Sequence, residues 1–353
     1  MTASNAPESR LRAYGQFLIA LFFYFLAAAL AHRAAVGLAN DQWSPLVRQA
    51  MLAFLLVFVY AGLGLTLNRQ QHPIGAQGLP ARPGWPREFA LGMSIGWGVA
   101  VVCVLAMAMI GGIVTSFSLG LANWGWLLAD AAWFLLAALA EEVAFRGYAF
   151  QRFARATGPA GAVFAFALLF AFLESRRPGA TRSGAVVAFV LSVVLSTAYL
   201  RTRALWVSWG LNFGWKASRA LIFGLAVRGD SSNSPIVQGD PTGPFWLTGG
   251  GYGLDASWFT LIVLLLALPV LYRATRDLDF RYNAPEIVPG GIPVDLEAAA
   301  RRQHETAMPA GEPAASPLVQ IAGVGPASPL PFSESAPEPA SEPTLPDTGN
   351  ESH

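Results

Sequence analysis

Long apolar runs separated by short polar connections make up most of the chain. A hydrocarbon core about 30 Å thick takes roughly 20 helical residues to cross, and lipid accepts only helices or closed barrels. Runs of this kind predict membrane helices at residues 14–31, 50–67, 89–113, 124–142, 161–173, 184–200, 205–226 and 257–272. The pattern therefore predicts an all-α membrane protein, a polytopic bundle of about eight transmembrane helices.

Polar segments flank this predicted membrane domain. Residues 1–13 form a polar N-terminal segment, residues 14–282 the transmembrane domain, and residues 283–353 a tail rich in Pro, Ala, Glu and Ser. The tail has no hydrophobic periodicity apart from a short candidate helix at 295–304. Its composition predicts disorder, and a solvated tail is favoured over a partner-binding one.

Composition agrees with a membrane protein. Hydrophobic residues make up 54% of the chain and charged residues 13%, against about 25% charged in soluble domains. The net charge of +1 gives no reason to expect nucleic acid, and the single Cys103 excludes a disulfide within the chain. The first apolar run has no clear signal-peptide cleavage site.

Arginines next to the predicted spans lie mostly on one side. That side carries Arg10 and Arg12, the connections at 68–88 and 201–204, and the C-terminal flank. By the positive-inside rule, both termini are expected in the cytoplasm. The protein is expected in the plasma (inner) membrane. Arg176, Arg177 and Arg182 fall on the opposite side, so their loop is either tucked into the protein or paired with nearby carboxylates.

The most unusual polar residues stand at the end of the fourth predicted span. Glu141, Glu142 and Arg146 follow an apolar stretch, and a charge at membrane depth costs about 2.5 to 3.5 kcal/mol on insertion scales. Such residues mark a site, a proton path or a pairing network. Glu142 and Arg146 are four residues apart on one helical face and are expected to pair.

These residues carry a family resemblance. The run Glu141-Glu142-x-x-x-Arg146-Gly147 resembles the first motif of the CPBP family, the intramembrane proteases that include the type II CAAX prenyl endopeptidases and bacteriocin-processing or immunity relatives. The resemblance covers residues 89–272 and implies a bundle of the same kind. It also implies that Glu141 is the base that activates water.

Later segments resemble further motifs in the same order. The fifth span, ending in Glu174, is similar to the second motif, Phe-x-x-x-His, and Asn212-x-x-x-Lys216 is similar to the third, His-x-x-x-Asn. Residues 243–255 resemble a Gly-rich segment of many bacterial members. If the motifs align, Glu174 and Asn212 replace the family's two histidines, and Lys216 replaces its asparagine.

The first functional hypothesis is a CPBP-type intramembrane endopeptidase that cleaves a membrane-embedded or lipidated peptide. Glu141 would serve as general base, with Glu142, Arg146 and Glu174 around it. Asn212 and Lys216 are hydrogen-bond donors four apart on one helical face, so they are candidate oxyanion donors. Loss of a correctly placed base or donor would leave little activity.

The second hypothesis is a catalytically inactive relative that binds a membrane protein or peptide in an immunity, sorting or scaffold role. Lys216 is the only lysine in the chain, and with Arg146 it could neutralise the three glutamates, helped by Arg176 and Arg177. The third hypothesis is that the protein conducts protons or a solute. No cofactor is expected, and a divalent metal is disfavoured because zinc would lack its histidine ligands.

Two further features bear on packing. Gly92, Gly96 and Gly98 in the third span predict a small-residue face for helix contact within the fold. Asp130 precedes Glu141 by eleven residues and lies either toward the bundle interior or, the favoured option, near the membrane interface.

Overall fold

A computed structural model describes residues 9–232 and 236–283. The predicted tail lies outside the described residues except for Asn283. The helices are α1 (Arg10–Leu38), α2 (Ser44–Asn68), α3 (Pro73–Ala76), α4 (Trp85–Met109), α5 (Leu121–Arg146), α6 (Tyr148–Thr157), α7 (Pro159–Ser175), α8 (Arg182–Thr202), α9 (Trp206–Ala217), α10 (Phe245–Thr248), α11 (Trp258–Ala274) and α12 (Arg276–Asn283). This confirms the predicted all-α membrane bundle.

The predicted spans correspond to helices, with differences in length. Within the described residues, α1, α2, α4 and α8 are each long and apolar enough to cross a membrane. α11 and α12, bent by 55° at their junction, would make a fifth span. α5, α7 and α9 cover the remaining predicted spans. The chain is an integral membrane protein, while the number of crossings and the side of each terminus stay predictions.

Two predicted spans end earlier than expected. α4 ends at Met109, and the chain then forms β1 (Ile113–Phe117), which pairs antiparallel with β2 (Val237–Pro241). The α-helix of the seventh span ends at Ala217 and continues as a π-helical turn over Ser218–Ile222. Gly111 and Gly224, at φ +68° and +64°, take the left-handed conformation that ends each segment. Apolar content alone did not reveal these breaks.

α4 and α9 pack with their backbones in close contact through glycines on both helices. A Cβ on Gly96 would lie 2.2 Å from the carbonyl oxygen of Leu211, and one on Gly214 would lie 2.3 Å from that of Met93. Gly92 is equally close to α9, whereas a Cβ on Gly98 would meet no atom within 4 Å. The predicted packing face is therefore confirmed for Gly92 and Gly96 and wrong for Gly98. This contact fixes the position of α9.

We expect Gly96→Ala to destabilise the protein by about 1 to 3 kcal/mol, because the added methyl group must push two helix backbones apart. Gly98→Ala on the same helix is the matched control and should leave stability unchanged or slightly higher. Unfolding of both variants in one detergent, titrated with a denaturing detergent, measures the difference. Equal stability would contradict the close contact.

Candidate functional site

Two cations hold Glu141, which lies in the last turns of α5. Lys216 Nζ donates to Glu141 Oε2 at 2.5 Å, and an Arg228 guanidinium nitrogen donates to Oε1 at 2.7 Å. The Asn212 side-chain amide also donates to Oε2, at 3.2 Å. Each oxygen of this carboxylate is therefore paired with a positive charge.

Glu142 faces the interior of the bundle and is fully buried. Its Oε1 accepts hydrogen bonds from Asn212 Nδ2 at 2.8 Å and from Arg146 at 3.2 Å, which confirms the predicted pair. Arg146, also fully buried, donates to the Ser192 hydroxyl of α8 at 2.8 Å. Glu142 and Arg146 thus tie α5 to α8 and α9.

Glu174 joins this network from the end of α7. Its Oε1 accepts a hydrogen bond from the Tyr252 hydroxyl at 2.6 Å, and its Oε2 pairs with Arg228 at 3.2 Å and Arg177 at 3.2 Å. Arg228 therefore bridges Glu141 and Glu174. The structure brings together all six predicted site residues, but their catalytic role stays a prediction.

The sequence analysis missed the loop residues that complete the network. Asp255 accepts a hydrogen bond from the backbone N–H of Arg228 at 3.0 Å and pairs with the buried Arg219 at 2.9 Å. Arg228 has φ +55°, a left-handed conformation uncommon for a residue other than glycine. Asp255 thereby helps to hold the backbone that aims Arg228 at the glutamates.

The Gly-rich segment at 243–255 was the one sequence signal for this loop. Gly253 has φ +83°, and a Cβ there would lie 2.2 Å from the carbonyl oxygen of Ala226. Only glycine fits this approach, and it places Tyr252 and Asp255 beside the network. Nothing in the sequence singled out Arg228, which lies 87 positions from Glu141.

The surroundings of Asp255, Arg228 and Tyr252 shift their pKa values so that the first two stay charged and the third stays neutral. Burial raises the pKa of Asp255, but Arg219 and Arg228 more than offset this and hold it below its usual range. Burial lowers the pKa of Arg228, and Glu141, Glu174 and Asp255 raise it above its ordinary value. Burial and the Glu174 carboxylate raise the pKa of the Tyr252 hydroxyl, which stays a donor.

A cavity of about 560 Å³ adjoins the network. Glu141, Lys216 and Arg228 form part of its wall, and its other lining residues come mainly from α1, α2 and α5: Tyr24, His32, Arg48, Leu52, Trp133, Phe134, Ala144 and Phe145. The Glu141 side chain is 20% exposed, against 0% for Glu142 and 5% for Glu174. Of these three carboxylates, Glu141 is the one open to the cavity.

The arrangement can bind a ligand beside a neutralised charge cluster. The predicted contribution of Arg176 and Arg177 is correct for Arg177, which pairs with Glu174, while Arg228 takes the place beside Glu141. Across the described ranges, no group of three or more His, Cys, Asp or Glu residues is arranged to hold a metal ion.

We expect Lys216→Met to destabilise the protein by about 3 kcal/mol, because it removes one of the two cations that compensate a largely buried carboxylate. Arg177→Gln is the control, since Arg177 pairs with Glu174 but is 49% exposed and should contribute at most about 1 kcal/mol. The two variants are compared by equilibrium unfolding in detergent. Similar losses of unfolding free energy for both variants would show that the buried Lys216–Glu141 pair contributes no more to stability than the exposed Arg177–Glu174 pair.

Comparison with known proteins gives one match. Residues 123–218 fit the family model described as type II CAAX prenyl endopeptidase Rce1-like. No curated protein and no solved structure matches the chain. The matched segment contains all six predicted site residues and ends before Arg228 and Asp255. It confirms the predicted family resemblance for this region: residues 123–218, from α5 to α9, are of the Rce1-like, type II CAAX prenyl endopeptidase kind.

Proposed function

We propose that this protein binds a membrane-embedded or lipidated peptide in the cavity beside Glu141 and does not cleave it. The family match supports a function of the CAAX-protease type in general. The observation that carries the proposal is that both oxygens of Glu141 are engaged by cations, Lys216 at 2.5 Å and Arg228 at 2.7 Å.

A general base must accept a proton from a water molecule within hydrogen-bond reach. The Glu141 oxygens already accept hydrogen bonds from Lys216, Arg228 and Asn212. Protonating Glu141 would also remove the negative charge that compensates two cations in a poorly solvated site. A general base contributes about 10² to 10⁴ in rate, so this pairing removes a large part of catalysis.

Glu174 and Asn212, which stand at the family's histidine positions, are also unsuited to assist peptide cleavage. Glu174 brings a negative charge to the network, 3.2 Å from Arg228. The Asn212 amide donates to both Glu141 and Glu142 and is thereby committed to the glutamates. An oxyanion needs donors directed at the charge that develops in the transition state, and each is worth about 10² to 10³ in rate.

The cavity keeps the features of a binding site. Its volume of about 560 Å³ is typical of sites for small molecules or peptide segments, and its wall combines apolar and aromatic side chains with charged groups. Tyr24 and Leu52 come from α1 and α2, which precede the family-matched region. Binding can therefore persist where the catalytic groups have been replaced.

The second candidate function is the intramembrane endopeptidase, with Glu141 activating water. It is favoured by the intact first motif and by the 20% exposure of Glu141 to the cavity. If a bound peptide displaced Lys216 from Glu141, Lys216 would be free to donate to an oxyanion.

A farnesylated reporter peptide in nanodiscs distinguishes the two functions. We expect no cleavage by the wild type, and we expect a photo-crosslinking residue at Ala144 in the cavity wall to capture the peptide. The same label at Leu128, which is 73% exposed on α5 outside this cavity, should not capture it.

Restoring the family's residues supplies a control for the cleavage assay. Combining Glu174→His, Asn212→His and Lys216→Asn with Arg228→Gln should produce cleavage that a further Glu141→Gln abolishes. Cleavage by the wild type that Glu141→Gln removes would establish the endopeptidase instead. Equal labelling at positions 144 and 128 would overturn the binding proposal.

A further inference from the structure

A second cavity, of about 440 Å³, adjoins the one beside Glu141. The two share Arg48, Trp133 and Asp230 in their walls. The second cavity is formed by the start of α2, the first half of α5 and the loop before Ser232. Its wall contains three tryptophans and three charged residues, Trp43, Trp126, Trp133, Arg48, Asp130 and Asp230.

The tryptophans present aromatic surface to this space. The rings of Trp43 and Trp126 pack with their centroids 5.0 Å apart and their planes inclined by 34°. Indole faces attract cations, and aromatic walls are a common means of recognising ammonium groups. Tryptophans at span ends are ordinary in membrane proteins. The convergence of three of them with aspartates around one cavity is not explained by that preference alone.

Two charged groups in the wall lack partners. In the part of the chain that the structure describes, neither Arg48 nor Asp130 makes a hydrogen bond or ion pair through its side chain, and they do not pair with each other. Asp230 differs, because it accepts hydrogen bonds from the backbone and hydroxyl of Ser232. Asp130 is therefore the carboxylate open to a ligand. A ligand carrying both charges would compensate Arg48 and Asp130 together.

The position of the cavity indicates the source of such a ligand. Trp43 directly precedes α2, and Pro45 and Arg48 lie in its first turns, so this wall lies at the end of a predicted membrane span, where headgroups meet protein. A phosphate beside Arg48 and an ammonium group beside Asp130 and the indoles are the two charges of a zwitterionic phospholipid headgroup.

We propose that the second cavity binds the headgroup of an ammonium-bearing phospholipid. Asp130 and the tryptophans contact the ammonium group, and Arg48 contacts the phosphate. The sequence left open whether Asp130 faces the bundle interior or the interface, and its place in this cavity gives it a role. The two cavities share Arg48, Trp133 and Asp230, but none of the six predicted site residues lines the second cavity, so this proposal does not rest on peptide binding beside Glu141.

Native mass spectrometry of the full chain in detergent measures lipid retention. We expect short-chain phosphatidylethanolamine or phosphatidylcholine to bind at least about tenfold more tightly than phosphatidylglycerol, which lacks the ammonium group. Asp130→Asn should reduce this binding about tenfold. Asp41→Asn, which changes an exposed carboxylate in the connection before α2, should not.

A second pair of variants tests the cavity independently, in case Asp130→Asn does not fold. Trp126→Leu should weaken binding, whereas Trp124→Leu, on the same helix but outside the cavity, should not. Equal retention of phosphatidylglycerol, or unchanged binding by both Asp130→Asn and Trp126→Leu, would overturn the proposal. Glycerophosphoethanolamine binding as tightly as the lipid, or a lysine-containing peptide binding where the lipids do not, would overturn the assignment to a phospholipid.

Discussion

Compensation of a poorly solvated carboxylate is the constraint on which this site depends. Glu141 remains acceptable in a membrane domain because Lys216 and Arg228 each pair with one of its oxygens. Glu142 accepts hydrogen bonds from Arg146 and Asn212 through Oε1, and Glu174 pairs with Tyr252 and two arginines. In an intramembrane protease the residue at the position of Glu141 must accept and release protons. Pairing both of its oxygens with cations therefore works against catalysis.

The fold supplies each compensating charge by a separate device. The glycines of α4 and α9 allow the close approach that positions α9, whose Lys216 and Asn212 contact Glu141 of α5. Asp255 and the left-handed backbone at Arg228 direct the second cation. The matched family region, residues 123–218, contains α9 but neither α4 nor the loop with Arg228 and Asp255. Segments outside the matched region, α4 and the loop with Arg228, therefore help to set the environment of Glu141.

The sequence predicted the placement of side chains that lie four residues apart on one helix. Glu142 with Arg146, and Asn212 with Lys216, are four apart on helices, and both pairs meet at the glutamates as that geometry requires. Arg228 was missed because its place depends on an irregular loop and on a hydrogen bond from its own backbone N–H to Asp255, which no periodicity encodes. The antiparallel pair of β1 and β2 was missed because Ile113 continues an apolar run.

A double-mutant cycle on Glu141 and Lys216 measures whether the two charges compensate each other. Glu141→Gln and Lys216→Met each remove one charge of the pair, whereas the double variant removes both. The free energies of unfolding should show a coupling of about 1 to 3 kcal/mol, with the double variant losing less than the sum of the singles. Additive losses, within about 0.5 kcal/mol, would show that Lys216 does not compensate Glu141 and would contradict this account.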